Sequence, residues 1–372
     1  MSRIEGDQMN RTILRLTLAL PLVSFALSSR CFAQTAVLRP AEPKIELSEP
    51  LDCNCPAHWD GDTLYVFTSA PQPHRNEGPD QFHLGKEIWT VYDNDGKVSG
   101  GRWIECTWRN DDGVLYGWYH NEPDALCPGV RLTAPRIGAA RSIDNGAHWT
   151  DLGIILEARP NTINCRSKNG AFGGGNGDFC AMLDKKKEYL YLYFDAYAGD
   201  VTEQGVTAAR MRWKDRDNPA GRVWKYYEDG WTEPGVGGRV SPFLMAKVNW
   251  MRSTAESYWG PAIHWNTYLK RYVMLLNLYA ASGPNWTQKG VYISYNKDIS
   301  NPKGWSEPKL LCTPDRYYPQ VIGVNAAARE TDKLCGQVGR FYVHGVSTQE
   351  IVFLREEEDV TKLPPVYAPA GH

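Results

Sequence analysis

The eight residues Ser142-Ile143-Asp144-Asn145-Gly146-Ala147-His148-Trp149 fit the pattern S-x-D-x-G-x-x-W at every fixed position. That spacing suits the tip of a β-hairpin. Asp144 can accept hydrogen bonds from the backbone N–H groups of the turn. Gly146 supplies the positive φ that a tight reversal needs, and Trp149 is placed to pack beneath it.

Outward from this tip, strand-like runs recur in a repeated order and helical periodicity is nearly absent. Val, Ile, Tyr and Trp alternate with Gly, Pro, Asn and Asp punctuation. The run Tyr189–Phe194 is followed by Val206–Trp213, and Arg271–Asn277 by Val291–Tyr295. A shorter strand precedes each pair, at Gly177–Met182 and Trp259–His264. The same unit is found around the whole chain. Opening strands are expected near Asn54, Glu105, Asp178, Trp259 and Tyr318, with second strands at Thr63–Thr68, Val114–Tyr119, Tyr189–Phe194, Arg271–Asn277 and Arg340–Val346. About five steps of roughly 50 to 80 residues predict an all-β, five-bladed β-propeller of four-stranded antiparallel blades with long loops. A two-sheet sandwich is the rival. The Gly/Pro/Trp-rich stretch between Lys214 and Ser241 is read as the outer edge of the third blade plus a long connection.

The hairpin tip resembles the Asp box of sialidase-like propellers, a feature of the face opposite the active site. Other segments resemble the five-bladed glycosidases of the arabinanase, β-xylosidase and invertase superfamily. Asp178-Phe179-Cys180-Ala181-Met182-Leu183-Asp184, followed by Tyr189-Leu190-Tyr191-Leu192, is similar to the segment carrying that family's pKa-modulating aspartate. Trp259-Gly260-Pro261, followed by Arg271-Tyr272-Val273, is similar to the segment carrying its general acid. The run from Ser294 through Asp298 and Pro302 to Trp305 resembles its outer hairpin. Family members carry Asp, Asp and Glu in that order along the chain. Two positions depart from this pattern. Trp259 stands where the glutamate belongs, with Glu256 three residues earlier, and Asn54 stands where the base aspartate belongs, with Asp52 two residues away.

In a propeller, the first strand of each blade starts on the face where the loops between second and third strands emerge. One funnel should therefore gather Asp52 to Asn54, Arg102 to Glu105, Gly177 and Asp178, Glu256 to Trp259, and Tyr317 to Gln320. Loops 69–86, 120–131, 196–205 and 280–290 should ring it. Glycosidic hydrolysis needs two carboxyl groups across the scissile bond, one protonated and one ionised. A neighbouring acid or arginine can hold their proton affinities apart. The funnel acids are Asp52, Glu105, Glu122, Asp178 and Glu256. Asp178 is expected to tune or position, Asp52 to act as base, and Glu256 or Glu122 as acid. Asn54, His120, Trp259, Tyr318, Gln320 and Arg75 are expected to bind sugar. His264 reads as a satisfied core histidine. A sialidase would need three arginines on the substrate carboxylate. Arg136, Arg141 and Arg252 are at hand, but Arg141 adjoins the hairpin tip on the wrong face.

The N-terminus reads as an export signal over residues 1–33, with Arg11 and Arg15 before the apolar run Leu16–Leu27 and small residues near Ala33. A single propeller domain over 34–372 follows. The apolar run is too short for a membrane span, and periplasmic or secreted placement is expected. Eight cysteines lie beyond the signal, an even number that favours disulfides in an exported chain. They lack paired C-x-x-C knuckles, which speaks against zinc. No cofactor is expected, although a structural Ca²⁺ on the propeller axis is compatible with the available oxygens. With 41 Lys and Arg against 43 Asp and Glu there is no basic excess, which argues against nucleic acid. No nucleophile elbow, zincin helix or P-loop is present. The reading is a monomeric, exported glycoside hydrolase acting on a neutral-sugar oligo- or polysaccharide by direct attack of water. A non-catalytic carbohydrate-binding propeller is the alternative, and a sialidase-like hydrolase the third option.

Overall fold

In the computed structural model, the strand Thr35–Glu46 lies antiparallel against Val346–Leu354, so the first and last described strands share one sheet. The structure describes residues 35–93, 98–124, 126–280, 287–355 and 358. The expected export signal lies outside them. Five separate antiparallel sheets follow in chain order, each built outward from an inner strand.

Blade I comprises Ala57–Asp60, Thr63–Thr68, His74–Gly78 and Ile88–Trp89. Blade II comprises Gly101–Arg109, Leu115–Glu122, Arg136–Ser142 and His148–Leu156, with the short Val91–Tyr92 parallel to its outermost strand. Blade III runs from Asn176–Leu183 through Tyr189–Ala196, Gly205–Arg212 and Val223–Tyr227 to Gly230–Pro234. Blade IV holds Glu256–Asn266, Arg271–Ala280, Gln288–Asn296 and Lys309–Cys312. Blade V holds Pro319–Gly323, Val338–Val343 and Val346–Leu354, and Thr35–Glu46 completes it. The molecule is a five-bladed β-propeller. Among the described residues there is no α-helix, and no helix long and apolar enough to cross a membrane.

The Tyr189–Ala196 strand shows why the blades form where they do. Aromatic and aliphatic side chains cover both of its faces, and all but Tyr189 are buried. A strand covered on both sides reads as a continuous apolar run rather than a clean alternation. The large core joins blades II, III and IV through residues such as Trp118, Phe179, Leu192, Tyr193, Ile263 and Met274. Blades V and I meet through Ile322, Tyr342, Ala57 and Val66, and Ala57 N–H donates to Asp332 Oδ1 across that junction at 3.0 Å.

The tip at 142–149 is a hairpin between the third and fourth strands of blade II. Asp144 Oδ1 accepts from His148 N–H at 2.9 Å. The Gly146 N–H goes instead to Ser142 Oγ, at 2.8 Å. Trp149 is fully buried beneath the turn. It packs against Phe67 of blade I, with ring centroids 5.8 Å apart, and Gly117 lies so close that a Cβ there would stand 2.7 Å from the indole. The hairpin tryptophan is thus a wedge between blades I and II.

The cysteines correct the expectation of general pairing. One disulfide, Cys127–Cys165, is present, while Cys53, Cys55, Cys106, Cys180, Cys312 and Cys335 are free thiols. His264 is buried edge-on to Phe353, and its Nε2 has no hydrogen-bond partner, so it is a core histidine but not a satisfied one.

Burial lowers both His58 and His264 to about 3. In the unfolded chain these rings titrate near 6.5. Between those limits the unfolded state binds more protons, so stability is full above pH 6.5 and is lost as the pH falls toward 3. A His264→Phe variant should show a shallower fall of Tm across that interval than the wild type, measured by thermal unfolding at stepped pH. Parallel Tm curves would contradict the assignment.

Candidate functional site

Three inner strands carry a β-bulge at the same level of the ring. The register between first and second strands slips at Ile104/Cys106 in blade II, at Gly177/Phe179 in blade III and at Trp259/Ala262 in blade IV. The residues skipped are Glu105, Asp178 and the pair Gly260-Pro261. A bulge bends its strand and redirects the extra side chain, and here two of the three carry carboxylates toward the axis. Asp178 has φ 35° and Tyr318 φ 61°, left-handed values that L-residues rarely adopt. Such strain persists only where the surroundings enforce it, and it clusters at functional sites.

A cavity of about 510 Å³ opens above these residues. Aromatic rings of Trp103, Phe172, Trp259, Tyr317 and Tyr318 form much of its wall, and Asp52, Glu122 and Asp178 supply carboxyl groups. The loop from Pro123 to Thr133 forms one rim. The Cys127–Cys165 disulfide ties that loop to the segment leading into blade III.

Beneath the cavity lies a buried polar floor. Cys53 Sγ–H donates to Glu105 Oε1 at 2.9 Å and lies 3.9 Å from Asp178 Oδ1. Glu105 Oε2 accepts from Phe179 N–H at 2.7 Å. His120 Nδ1 sits 3.4 Å from Glu105 Oε1 and 3.2 Å from Asp178 N, and its Nε2 faces Glu122 Oε1 at 3.4 Å. The Asp178 N–H can donate to Nδ1 only when that nitrogen is unprotonated, whereas Glu105 favours a proton there. Asp178 accepts from Tyr318 OH at 3.2 Å and from Tyr197 OH. Asp195, just behind, accepts from Gly260 N–H at 2.7 Å.

Proton affinities follow from this crowding. Burial lifts Asp178 to about 7, with Glu105 adding to the shift and His120 opposing it. Burial also lifts Asp52 above its ordinary value; Glu122 and Glu105 reinforce this, and His120 opposes it. Asp195 is pushed well above the carboxylate range by burial and by Asp178. Burial works against the charge on His120, but hydrogen bonds to Glu105 and Glu122 outweigh it and hold the ring well above its usual range. A carboxyl group that keeps its proton toward neutrality can donate one, and an ionised neighbour can accept one.

The expected site residues divide into two groups. Asp52, His120, Glu122, Asp178, Trp259 and Tyr318 all line the cavity. The other four are placed elsewhere. Glu256 does not line it; its carboxylate is taken up by Lys247 Nζ at 2.9 Å. Arg75 is held at the far face, where it donates to Asn145 O at 3.0 Å and lies over the Tyr65 ring. Gln320 is buried and accepts from Cys55 N–H at 2.8 Å, so its amide joins blades V and I. Asn54 faces a separate cavity of about 10 Å³ on the axis, shared with Gln320, His264 and Lys333. The three arginines of a sialidase do not converge. Arg136 bonds Asn121 Oδ1 at 2.7 Å, Arg141 faces Asp217, and neither these nor Arg252 lines the cavity.

Sequence reasoning gathered Cys53 and Trp103 into funnel segments but gave neither a role at the site, and Tyr197 was likewise given none. Tyr197 lay within a loop correctly assigned to the funnel, and its aromatic neighbour Phe172, stacked on it at 4.4 Å, gave no local signal.

No protein-family model matches the chain, and no curated protein matches it. Solved structures do. The endo-arabinase from Bacteroides thetaiotaomicron VPI-5482 superposes with a TM-score of 0.50 at 13% identity, over 88% of this chain and 98% of that one. The alpha-L-arabinanase of Cellvibrio cellulosa gives 0.46 at 13% identity over 84% and 94%. A putative exo-beta-1,3-galactanase from Bifidobacterium bifidum s17 gives 0.45 at 14% identity over 82% and 87%. The likeness is one of fold.

Gly177 controls the floor. A Cβ there would stand 2.7 Å from His120 Cε1 and 2.8 Å from Pro135 Cβ. Gly177→Ala should therefore cost about 1–3 kcal/mol through overpacking, read from urea unfolding. An unchanged midpoint would show that His120 is not held in this position.

Proposed function

We propose that the protein is an exported, monomeric glycoside hydrolase that binds a neutral-sugar glycan in the axial cavity and cleaves it with water. The observation that carries this reading is the joint opening of Asp52 and Glu122 into one aromatic-walled cavity of about 510 Å³. That volume falls in the range of small-molecule sites, about 300–1,000 Å³. Flat aromatic faces suit the apolar faces of sugar rings. Asp52 and Glu122 supply the proton donor and the base, while Asp178, held by two tyrosine hydroxyls, positions the floor beneath them. A fold neighbour named endo-arabinase supports a plant- or microbe-derived glycan as substrate.

One observation favours a second reading, a propeller that binds carbohydrate without cleaving it. Blade IV presents Trp259 to the cavity, and its glutamate, Glu256, is paired with Lys247 instead.

Purified enzyme assayed on arabino-, galacto- and xylo-oligosaccharides distinguishes the two. Asp52→Asn and Glu122→Gln should each lower kcat/KM by about 10²–10⁴-fold without loss of Tm, while Glu256→Gln leaves it unchanged. The variant that recovers rate on aryl glycosides with a good leaving group has lost the proton donor, because such substrates leave without protonation. Full activity in both cavity variants would refute the assignment. Oligosaccharide binding with no turnover by the wild type would establish the binding-only reading.

A further inference from the structure

The buried floor brings together a thiol, an imidazole and two carboxylates from three blades. Cys53, Glu105, His120 and Asp178 each offer one donor atom, and these four atoms all lie within 4.8 Å of one another. We propose that this tetrad is a binding site for a divalent zinc-class cation, built into the floor of the cavity.

The geometry fits such an ion. Zinc binds sulfur at about 2.3 Å and nitrogen or oxygen at about 2.0–2.1 Å, so tetrahedral donors stand about 3.4–3.7 Å apart. Observed separations bracket that spacing: 2.9 Å from Cys53 Sγ to Glu105 Oε1, 3.4 Å from Glu105 Oε1 to His120 Nδ1, and 3.9 Å from Cys53 Sγ to Asp178 Oδ1. The remaining pairs lie within 4.8 Å, so the donors draw in when they close around one centre. The donor set is also selective. A sulfur and an imidazole with two carboxylates suit zinc or a neighbouring transition metal rather than the all-oxygen shells of Ca²⁺ and Mg²⁺.

The outer contacts carry the argument further. Ligands at metal sites are aimed by partners on their remaining atoms. Here His120 turns Nε2 to the Glu122 carboxylate at 3.4 Å, and Nδ1 faces the centre, where ligation replaces its contact with the Asp178 N–H at 3.2 Å. Glu105 gives Oε2 to the Phe179 N–H at 2.7 Å, leaving Oε1. Asp178 is held by the Tyr197 and Tyr318 hydroxyls. All four residues are buried, and none of them pairs with a lysine or arginine among the described residues. Among the described residues His120 is the cationic partner of these buried acids, and a bound cation supplies the positive charge that the ring gives up when it ligates as a neutral imidazole. On binding, the Cys53 thiol and the His120 Nδ1 each give a proton to solvent, and they coordinate as thiolate and neutral imidazole beside the two ionised carboxylates. The absence of C-x-x-C knuckles is no obstacle, since the ligands come from residues far apart in the chain.

The test uses the full-length protein, stripped with chelator and reloaded with Zn²⁺ or Co²⁺. One equivalent of zinc should remain after dialysis, Tm should rise on reloading, and the Co²⁺ form should show thiolate-to-metal charge-transfer absorption. Cys53→Ser should abolish that absorption, and Glu105→Gln should lose the retained metal. Cys312→Ser, altering a half-exposed thiol elsewhere, should change neither. Retention of no stoichiometric metal by the wild type would overturn the site, as would a Co²⁺ spectrum indifferent to Cys53→Ser. These readouts need no glycan, so they stand or fall independently of the hydrolase reading.

Discussion

Everything in this molecule depends on closure of the ring. Five twisted sheets share an axis only if the last blade meets the first, and the chain secures this by lending Thr35–Glu46, which precedes blade I, to blade V as its outermost strand against Val346–Leu354. The closing strand is also fastened by side chains. Arg340 Nη2 donates to Pro43 O at 2.8 Å, and Arg39 pairs with Glu350. Blade V thereby gains its fourth strand. Once the ring is closed, inner strands that are far apart in sequence lie side by side. A short bulge in each can then aim one side chain at a common point. Glu105 and Asp178 reach the axis this way.

That convergence creates an electrostatic problem that shapes the rest of the site. Carboxyl groups from blades II and III, a thiol from the approach to blade I and Asp195 are buried together, with His120 as the nearby cationic group. Burial of unpaired charge costs several kcal/mol per ion after relaxation. The protein offsets this with tyrosine hydroxyls, with backbone N–H donors at Phe179 and Gly260, and with raised proton affinities on Asp178 and Asp195. Above the floor the environment changes. Asp52 and Glu122 reach the cavity, where solvent and substrate can meet them, and aromatic rings share the walls with Asp124 and Arg131.

Much of the fold could be read from the chain because the inner and second strands are buried on both faces. Thr63–Thr68 was placed at both ends, and Tyr189, Arg271 and Asp178 marked strand positions that hold in three dimensions. The closing strand was missed, since Pro40 and Pro43 break any β pattern; the structure tolerates them on an outermost strand, where unpaired N–H groups are not needed. Arg75 was taken for a loop residue because His74–Gly78 is polar, yet it is a strand and sends its side chain to the opposite face. Glu256 was chosen by nearness along the chain to the family's glutamate position. A strand alternates its faces, and the register from Glu256 to Trp259 is unbroken, so three residues of separation put the two side chains on opposite faces. Cys53 was misread because an even cysteine count suggests pairing, and only the folded ring shows that its neighbours are acids and a histidine.

The central claim is that sugar occupies the axial cavity within reach of its exposed carboxyl groups. It is tested most directly by a crystal structure of Asp52→Asn grown with a neutral oligosaccharide. The account predicts a sugar ring stacked on Trp259 or Trp103, with a glycosidic oxygen about 2.6–3.2 Å from the residue-52 amide or from Glu122. Sugar bound elsewhere on the propeller, or in the cavity but beyond reach of both groups, would contradict it.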